Sequence, residues 1–583
     1  MPPKKKVRRA KTWQQVAEEA QRHRDGTLTA FSHCLKLEEL EQAKAASSNA
    51  TQLPAQMPSV EEATLEITAL SPKSLAKKIA LGVHTASDVV SAFSTTAAIA
   101  QKAVNCLTEL LPSRATTRAA ELDRHIAATG KPVGPLHGLP ISVKSHIGIA
   151  GCQVAAGYIA WYDDPTHVAA RDALVVQCLE RAGGVVHART TEPQSMMQLE
   201  CASNLYGRTL NPYNVNLSSG GSSGGEAALL AMRGSVIGVG SDVGGSIRVP
   251  AAACGVFGLK PTAFRVPTTG WSSTPPGADP IPTVLGPMSC SLEGIDMFMD
   301  VVLASEPWKV EPALVPLPWR TVDIVPSPTR PLRIGVAVDD GVVVPHPPIV
   351  RVLEELSKKM AALAHVEVVK FPLYKLDEAW AIGSSLYFTD GGEADIAVMN
   401  RSGEPMLPLV HWILKENPAV KKLTREKLEY WLEEREEYRI EYAEHWNRTG
   451  RLDEATGSWV DTVDALICPV APGVATCHDT AKYWTYSAVW NLLDYPALAF
   501  PAGTADKERD VQTGRADFKS FHDRKNWELY DAEVFHGMPV GLQILGRRFD
   551  DEKIVAILKY LQDQGCVGHD HGPFNPIYSP VET

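Results

Sequence analysis

The chain has 583 residues, of which 44% are hydrophobic and 21% charged, and carries a net charge of −11. Those proportions belong to a globular protein with ample chain for a buried core, and the acidic balance disfavours nucleic acid as a partner. Ten cysteines, from Cys34 to Cys566, stand singly without a C-x-x-C pair; this excludes zinc ribbons and redox motifs and fits a reducing compartment, and no apolar run is long enough for a spanning helix.

The first residues, MPPKKKVRR, form a basic run. It has the composition of a nuclear import signal and equally of a solvated tail. No apolar stretch follows it, so it is not read as a secretory signal. The expected location is cytoplasmic, with the nucleus as the alternative. Residues 1–60 read as this tail plus a helical extension, with Trp13, Val16 and Ala20 on one helical face. The Ser- and Pro-rich SSNATQLPAQMPS ends the extension.

Residues 61–583 read as one domain. Leu75–Leu111 reads as two or three helices, with start signals at Ser71-Pro72 and near Thr85. ISVK starts a strand; Asp172–Ala182 reads as helix and Gly184–Ala188 as strand. Glu226–Gly240 reads as a buried helix leading into a strand. Trp271–Pro287 reads as a proline-rich loop. A strand, helix and strand follow in RIGVAV, His346–Leu363 and VEVVKF. A charged helical insertion is expected over 405–450, either roofing the site, forming an interface or standing solvated. ALICPVAP and YPALAFPAG read as core strands, Asp506–Tyr530 as a polar loop, and GLQILG with Asp551–Leu561 as the closing strand and helix. This alternation predicts an α/β fold: a mixed, largely parallel central sheet covered by helices on both faces.

Two serines stand in glycine-rich settings, Ser222 in GGSSGG and Ser246 in DVGGSIR. Glycines beside a serine let a substrate approach the backbone, and successive amides in such a turn make a concave anion site. A serine hydroxyl needs a base before it attacks. Lys144, at the end of ISVK, serves as one only when neutral, and burial at a strand end shifts it that way. Asp242 and Arg248 flank the second serine and read as a structural ion pair.

Other patterns compete. Gly220–Gly224 matches the G-x-S-x-G nucleophile elbow, which makes Ser222 the nucleophile and needs a histidine such as His478 or His536. Glu226 stands where a phosphate-binding loop needs lysine. Cys566, His569, Asp570 and His571 lack the second cluster a zinc site needs, so no metal is expected.

Taken together, GLPISVK, GGSSGGE, DVGGSIRVP and CGVFGLKP resemble the amidase signature family of serine hydrolases. AVNCLTE, TGKPVGPLHGLPIS, YGRTLNPYN and HGMPVGLQILG are similar to passages of its fungal acetamidase-like branch, and the resemblance runs from near Leu65 to near Leu561. It implies Ser246 as nucleophile, Lys144 as base, and Ser222, after a cis peptide bond, as proton relay. It implies an oxyanion hole from the amides of Val243, Gly244, Gly245 and Ser246, with Met196 and Ser222 near the substrate. The implied reaction cleaves small or medium aliphatic or aryl amides to acid and amine through an acyl-enzyme. The partner is a small-molecule amide, no cofactor is involved, and a homodimer is often formed. The chain departs from the family at Ser145-His146, where most members carry an acidic residue, and at Val154-Ala155. Two alternatives share the motifs: the glutaminase subunit of a tRNA-dependent amidotransferase, and a non-catalytic binding protein on the same fold.

Overall fold

β-Branched and leucine-rich runs too short for helices build one central sheet. In chain order its strands are β1 (Leu107–Leu110), β2 (Pro140–Lys144), β3 (Val185–Thr190), β4 (Ile237–Asp242), β5 (Phe257–Lys260), β6 (Val284–Ser289), β7 (Leu332–Val336), β8 (Val366–Lys370), β9 (Ala465–Pro469), β10 (Ala497–Thr504) and β11 (Pro539–Leu545). The computed structural model describes residues 11–31, 35–273 and 280–568, so MPPKKKVRR and the His569–His571 run lie outside it. Across the sheet the strand order is β1-β3-β2-β4-β6-β5-β10-β11-β9-β7-β8. Parallel pairing forms two blocks, β3-β2-β4 and β9-β7-β8. Antiparallel pairs join them and add β1 at the edge.

Helices cover both faces of this mixed sheet, and β9 shows why its sequence does not alternate. Ala465 and Ile467 enter one apolar cluster, whereas Leu466 and Cys468 enter another. A strand buried on both sides reads as a continuous apolar run. The helices that bear on the site are α1 (Trp13–Thr27), α2 (Ala86–Val104), α3 (Gly224–Ala231), α4 (Arg248–Ala253), α5 (Leu376–Tyr387) and α6 (Arg425–Asn447). α1 begins with a capping box, Thr12 with Gln15. Its Val16, Ala17 and Ala20 pack against Ala155, Ile159 and Leu205. Leu40, Leu53 and Met57 join the same apolar cluster as Ala97–Val104 of α2.

The insertion is held by an aromatic stripe. Tyr438, Tyr442 and Trp446 of α6, four residues apart, are buried with Phe371, Trp490 and Tyr495. Its outer face is charged. Through this stripe α6 backs α5.

Three segments differ from the sequence reading. The helical stretch predicted over Leu75–Leu111 ends in strand β1, because Asn105 closes α2 in the left-handed conformation, φ 54°. Four residues are too few to show a period of two. The loop predicted through Pro287 already contains β6. Proline argues against a central strand, yet β6 pairs with β5 only at Ser289 and Met288, so Pro287 has a ladder neighbour on the β4 side alone. The polar loop Asp506–Tyr530 contains a helix, Phe521–Glu528, whose Asp523 amide is capped at 3.0 Å by the Ser520 hydroxyl.

Candidate active site

Strands β2 and β4 run parallel and in register, with Val143 beside Val239. This brings Lys144, at the C-terminal end of β2, to the end of β4, where Ser241 stands one residue beyond the lysine's level. Lys144 is fully buried. Its Nζ lies 2.5 Å from Ser222 Oγ and 3.0 Å from Ser241 Oγ. Burial pulls the lysine down to about 8, against the pull of the Glu192, Asp242 and Glu226 carboxylates.

Ser222 reaches Lys144 from the turn before α3, and the Gly221–Ser222 peptide is cis. Gly221 packs directly on the backbone of Glu200, where a Cβ would collide. Ser223 ties the turn to its surroundings: its amide donates to the Ser246 carbonyl at 3.0 Å and its hydroxyl to the Ser241 carbonyl at 3.3 Å. Lys144, Ser222, Ser241 and the loop that carries Ser246 therefore form one connected unit.

The segment Val243–Ser246 precedes α4. Gly245 has φ 126°, and a Cβ there would strike the Ser487 side chain. The Val243 carbonyl accepts from Tyr387 OH at 2.9 Å and the Gly244 carbonyl from Ser487 Oγ at 2.7 Å. The first bond holds the Val243–Gly244 peptide, with the Gly244 amide on its opposite side, and the second holds the Gly244–Gly245 peptide, with the Gly245 amide on its opposite side. The Gly245 amide donates to Asp242 Oδ1 at 2.8 Å. One of the four amides expected of an oxyanion hole is thus occupied by Asp242, and those of Val243, Gly244 and Ser246 are the other three.

Asp242 and Arg248 form the buried pair expected of them. Arg248 Nε and Nη2 each lie 3.0 Å from an Asp242 oxygen, and Asn491, Gln543 and the Ser487 carbonyl satisfy the rest of the guanidinium. Burial opposes the charge on Asp242, but Arg248 outweighs it and holds the carboxyl far below its usual range.

Ser222, Ser241 and Ser246 open on a cavity of about 530 Å³. Met196 lines it too, from a pair of left-handed residues, Ser195 (φ 66°) and Met196 (φ 60°). Trp161, Ile281, Leu386 and Tyr387 supply apolar wall, and Thr268 and Ser272 supply hydroxyls. Neither His478 nor His536 is among the residues lining it; the histidines that do line it are His146 and His167.

Three buried groups beside Lys144 are not tied to it by the sequence. Ser241 is one. Glu226 is another: its carboxylate accepts from the Ser142 hydroxyl and from Thr190 Oγ1 at 2.6 Å, and burial raises it to about 7. The third is Glu192, whose Oε1 accepts from Ser145 Oγ at 2.7 Å and whose Oε2 accepts from the His146 amide and Nδ1, each at 3.0 Å. A spacing of 47 residues separates Glu192 from Ser145, and only the β2–β3 pairing makes them neighbours.

Comparison with known proteins agrees with this architecture. A family model described as Amidase matches residues 88–555. An acetamidase of Emericella nidulans is 38% identical over 505 residues, covering 85% of this chain and 89% of that protein. An acetamidase of Aspergillus oryzae is 36% identical over 504 residues, covering 85% and 90%. Among solved structures, a fatty acid amide hydrolase superposes with a TM-score of 0.88 at 31% identity, covering 96% of each chain. The chain belongs to the amidase signature family and is an amide-hydrolysing enzyme.

Proposed function

We propose that this enzyme cleaves medium-sized aliphatic or aryl carboxylic amides to acid and amine through an acyl-enzyme on Ser246. The observation that carries the reading is the buried Lys144 Nζ on Ser222 Oγ, in the wall of a cavity that Ser246 also lines. A lysine brought down to about 8 is partly neutral near pH 7, as a base must be.

In the first half-reaction the neutral amine takes the Ser222 proton while Ser222 Oγ takes the Ser246 proton. Ser246 Oγ bonds to the amide carbon, and the carbonyl π pair moves onto oxygen. The amides of Val243, Gly244 and Ser246 stabilise that oxyanion. Lys144 and Ser222 then return the proton to nitrogen as the C–N bond breaks, so the leaving group departs as a neutral amine. Water attacks the ester by the same relay, the C–Oγ bond breaks, and Ser246 recovers its proton. The relay uses protein groups throughout.

Cavity size bears on the substrate. Acetamide has four non-hydrogen atoms and needs roughly 100 Å³, at about 30 Å³ per water-sized group, whereas the cavity is about 530 Å³. The relatives named acetamidase and fatty acid amide hydrolase span short and long acyl groups. The wall of Trp161, Met196, Ile281 and Leu386 favours an acyl or aryl body larger than acetyl.

The test is a serine-reactive fluorophosphonate, with the labelled residue located by mass spectrometry, followed by kcat/KM for acetamide, hexanamide, phenylacetamide and glutamine. Label on Ser246 and a preference for hexanamide or phenylacetamide is the expected result. Label on Ser222 overturns the assignment of the nucleophile. Turnover of glutamine alone, dependent on added partner subunits, overturns the substrate class in favour of an amidotransferase glutaminase.

A further inference from the structure

Strands β2 and β3 are parallel, with Lys144 paired to Thr190. Their continuations past the sheet therefore run side by side, and the Ser145 amide donates to the Thr190 carbonyl at 3.1 Å. Two residues further along the second strand stands Glu192, 3% exposed. Among the described residues, every hydrogen bond it accepts comes from the two residues that follow Lys144: Ser145 Oγ at 2.7 Å, and His146 N and Nδ1 at 3.0 Å. Arg189 Nη2 adds a bond to the Ser145 carbonyl, and the Ser272 amide donates to the His146 carbonyl at 3.0 Å. The turn after the lysine is thus tied from two other segments, and its central fastening is a carboxylate.

We propose that Glu192 is a positioning residue for Lys144: clamped by Ser145 and His146, it fixes the turn that carries the lysine and supplies the buried negative charge against which the lysine gains and loses its proton. This rests on Lys144 acting as the base.

The protonation states follow from the bonding. Nδ1 of His146 donates to Glu192, so the ring proton resides there, and burial keeps the imidazole neutral. Nε2 has no hydrogen-bond partner among the described residues, and the ring packs against Trp271 at 5.7 Å. Burial pushes the Glu192 carboxyl up, but the His146 and Ser145 bonds and the nearby Lys144 outweigh it and hold it down. Glu192 is therefore an anion in the range where Lys144 titrates.

The other groups facing the lysine do not duplicate it. Asp242, on β4, spends its charge on Arg248. Glu226, on α3, is raised to about 7 by burial and is only partly ionised. Cys201 is pushed up by burial and stays a thiol. Arg189, on β3, is paired with Glu109 at 2.5 Å. Of the carboxylates, Glu192 pulls most strongly against the desolvation of Lys144.

Geometry and charge make opposite contributions, which is what makes the role testable. Loss of the clamp lowers the rate. Loss of the charge favours the neutral lysine and moves the onset of activity to lower pH. The experiment is the pH profile of Ser246 acylation by a fluorophosphonate, from pH 5.5 to 9.5, for wild type, Lys144→Ala, Glu192→Gln and Glu192→Asp. The expected result is that Glu192→Gln lowers the plateau while its acid limb shifts down by about one pH unit. Glu192→Asp, which keeps the charge, retains a limb near that of wild type.

A Glu192→Gln curve that is scaled but not shifted overturns the proposal and leaves Glu192 as packing only. A shift to higher pH overturns it as well. If Lys144→Ala leaves both rate and limb unchanged, the lysine-base reading itself fails, an outcome distinct from the other two. Should Glu192→Gln not fold, His146→Leu decides: it removes the ring donor that keeps Glu192 ionised, and the limb is expected to move the same way by a smaller amount. An unmoved limb there overturns the proposal.

Discussion

Lys144 Nζ meets Ser222 Oγ at 2.5 Å and Ser241 Oγ at 3.0 Å in a place with no solvent contact. Both of these hydrogen-bond partners of the lysine are hydroxyls, and neither is charged. A lysine so placed is costly when protonated and useful when not.

That cost gives a first prediction. Lys144 ionises at about 8 in the fold against 10.5 ordinarily, so between those values the unfolded chain binds more protons and stability rises with pH. The penalty is at full strength below about pH 8 and gone by about pH 10.5. Lys144→Met is expected to cut kcat/KM by at least about 100-fold while raising Tm at pH 7. The Tm gain should shrink toward pH 10. A variant less stable than wild type at pH 7 would contradict the burial argument.

Ser241 gives a second. Ser241→Ala removes one of the lysine's two hydroxyl partners and leaves Ser222 and Ser246 in place. Hydrogen bonds to charged groups are worth about 1.5–3 kcal/mol, so kcat/KM should fall by roughly 10- to 100-fold. Fluorophosphonate should still label Ser246, only more slowly. Steady-state kinetics with hexanamide checks the first point and labelling rate the second.

Asp242→Asn leaves Arg248 buried and unpaired. Breaking such a pair typically costs about 3–5 kcal/mol, which should appear as a large fall in Tm. The sign with pH is fixed by the depressed carboxyl of Asp242. Its contribution is present above the ordinary aspartate range and is lost only as pH falls through the much lower folded value. The Tm deficit should therefore be the same at pH 5 and pH 8. Differential scanning calorimetry at both values tests this.

Gly245→Ala separates loop geometry from folding. Gly245 has φ 126°, and an added Cβ would meet Ser487, which holds the Gly244 carbonyl. The amides beside it should swing out of place. Activity is expected to fall by about 100-fold or more, while far-ultraviolet circular dichroism stays that of the wild type.

The parts of this site that were readable in the sequence are those written as local motifs. Ser222 and Ser246 stand out because glycines surround them, and Lys144 because an apolar strand ends on it. Ser241, Glu192 and Glu226 were not readable. Each meets Lys144 or its turn across a strand pairing or from a neighbouring helix, and a single serine or glutamate in an apolar run carries no mark of its partner. The same holds for the fold. The helices and long buried strands follow from their periods, but β1 and β6 depend on a left-handed Asn105 and on which neighbour Pro287 faces. The Gly245 amide shows the converse: the motif names four amides, and only the Asp242 contact reveals that one is already taken.

The α1 helix lies along β1, the last strand on its side of the sheet. Thr27 Oγ1 accepts the Leu110 amide at 3.0 Å, Gln101 Oε1 takes the Leu107 amide at 2.7 Å, and Arg24 reaches Asn105 at 2.9 Å. The amides that a border strand would otherwise offer to a passing chain are occupied from within. A version of the protein begun after Thr27 would keep Lys144, Ser222 and Ser246 and the Gln101 bond to Leu107, yet it would free the Leu110 amide and strip the helix from that border, and bare borders zip to one another. Such a shortened chain should lose monodispersity on concentration before it loses turnover, which makes the helix a guard against self-association.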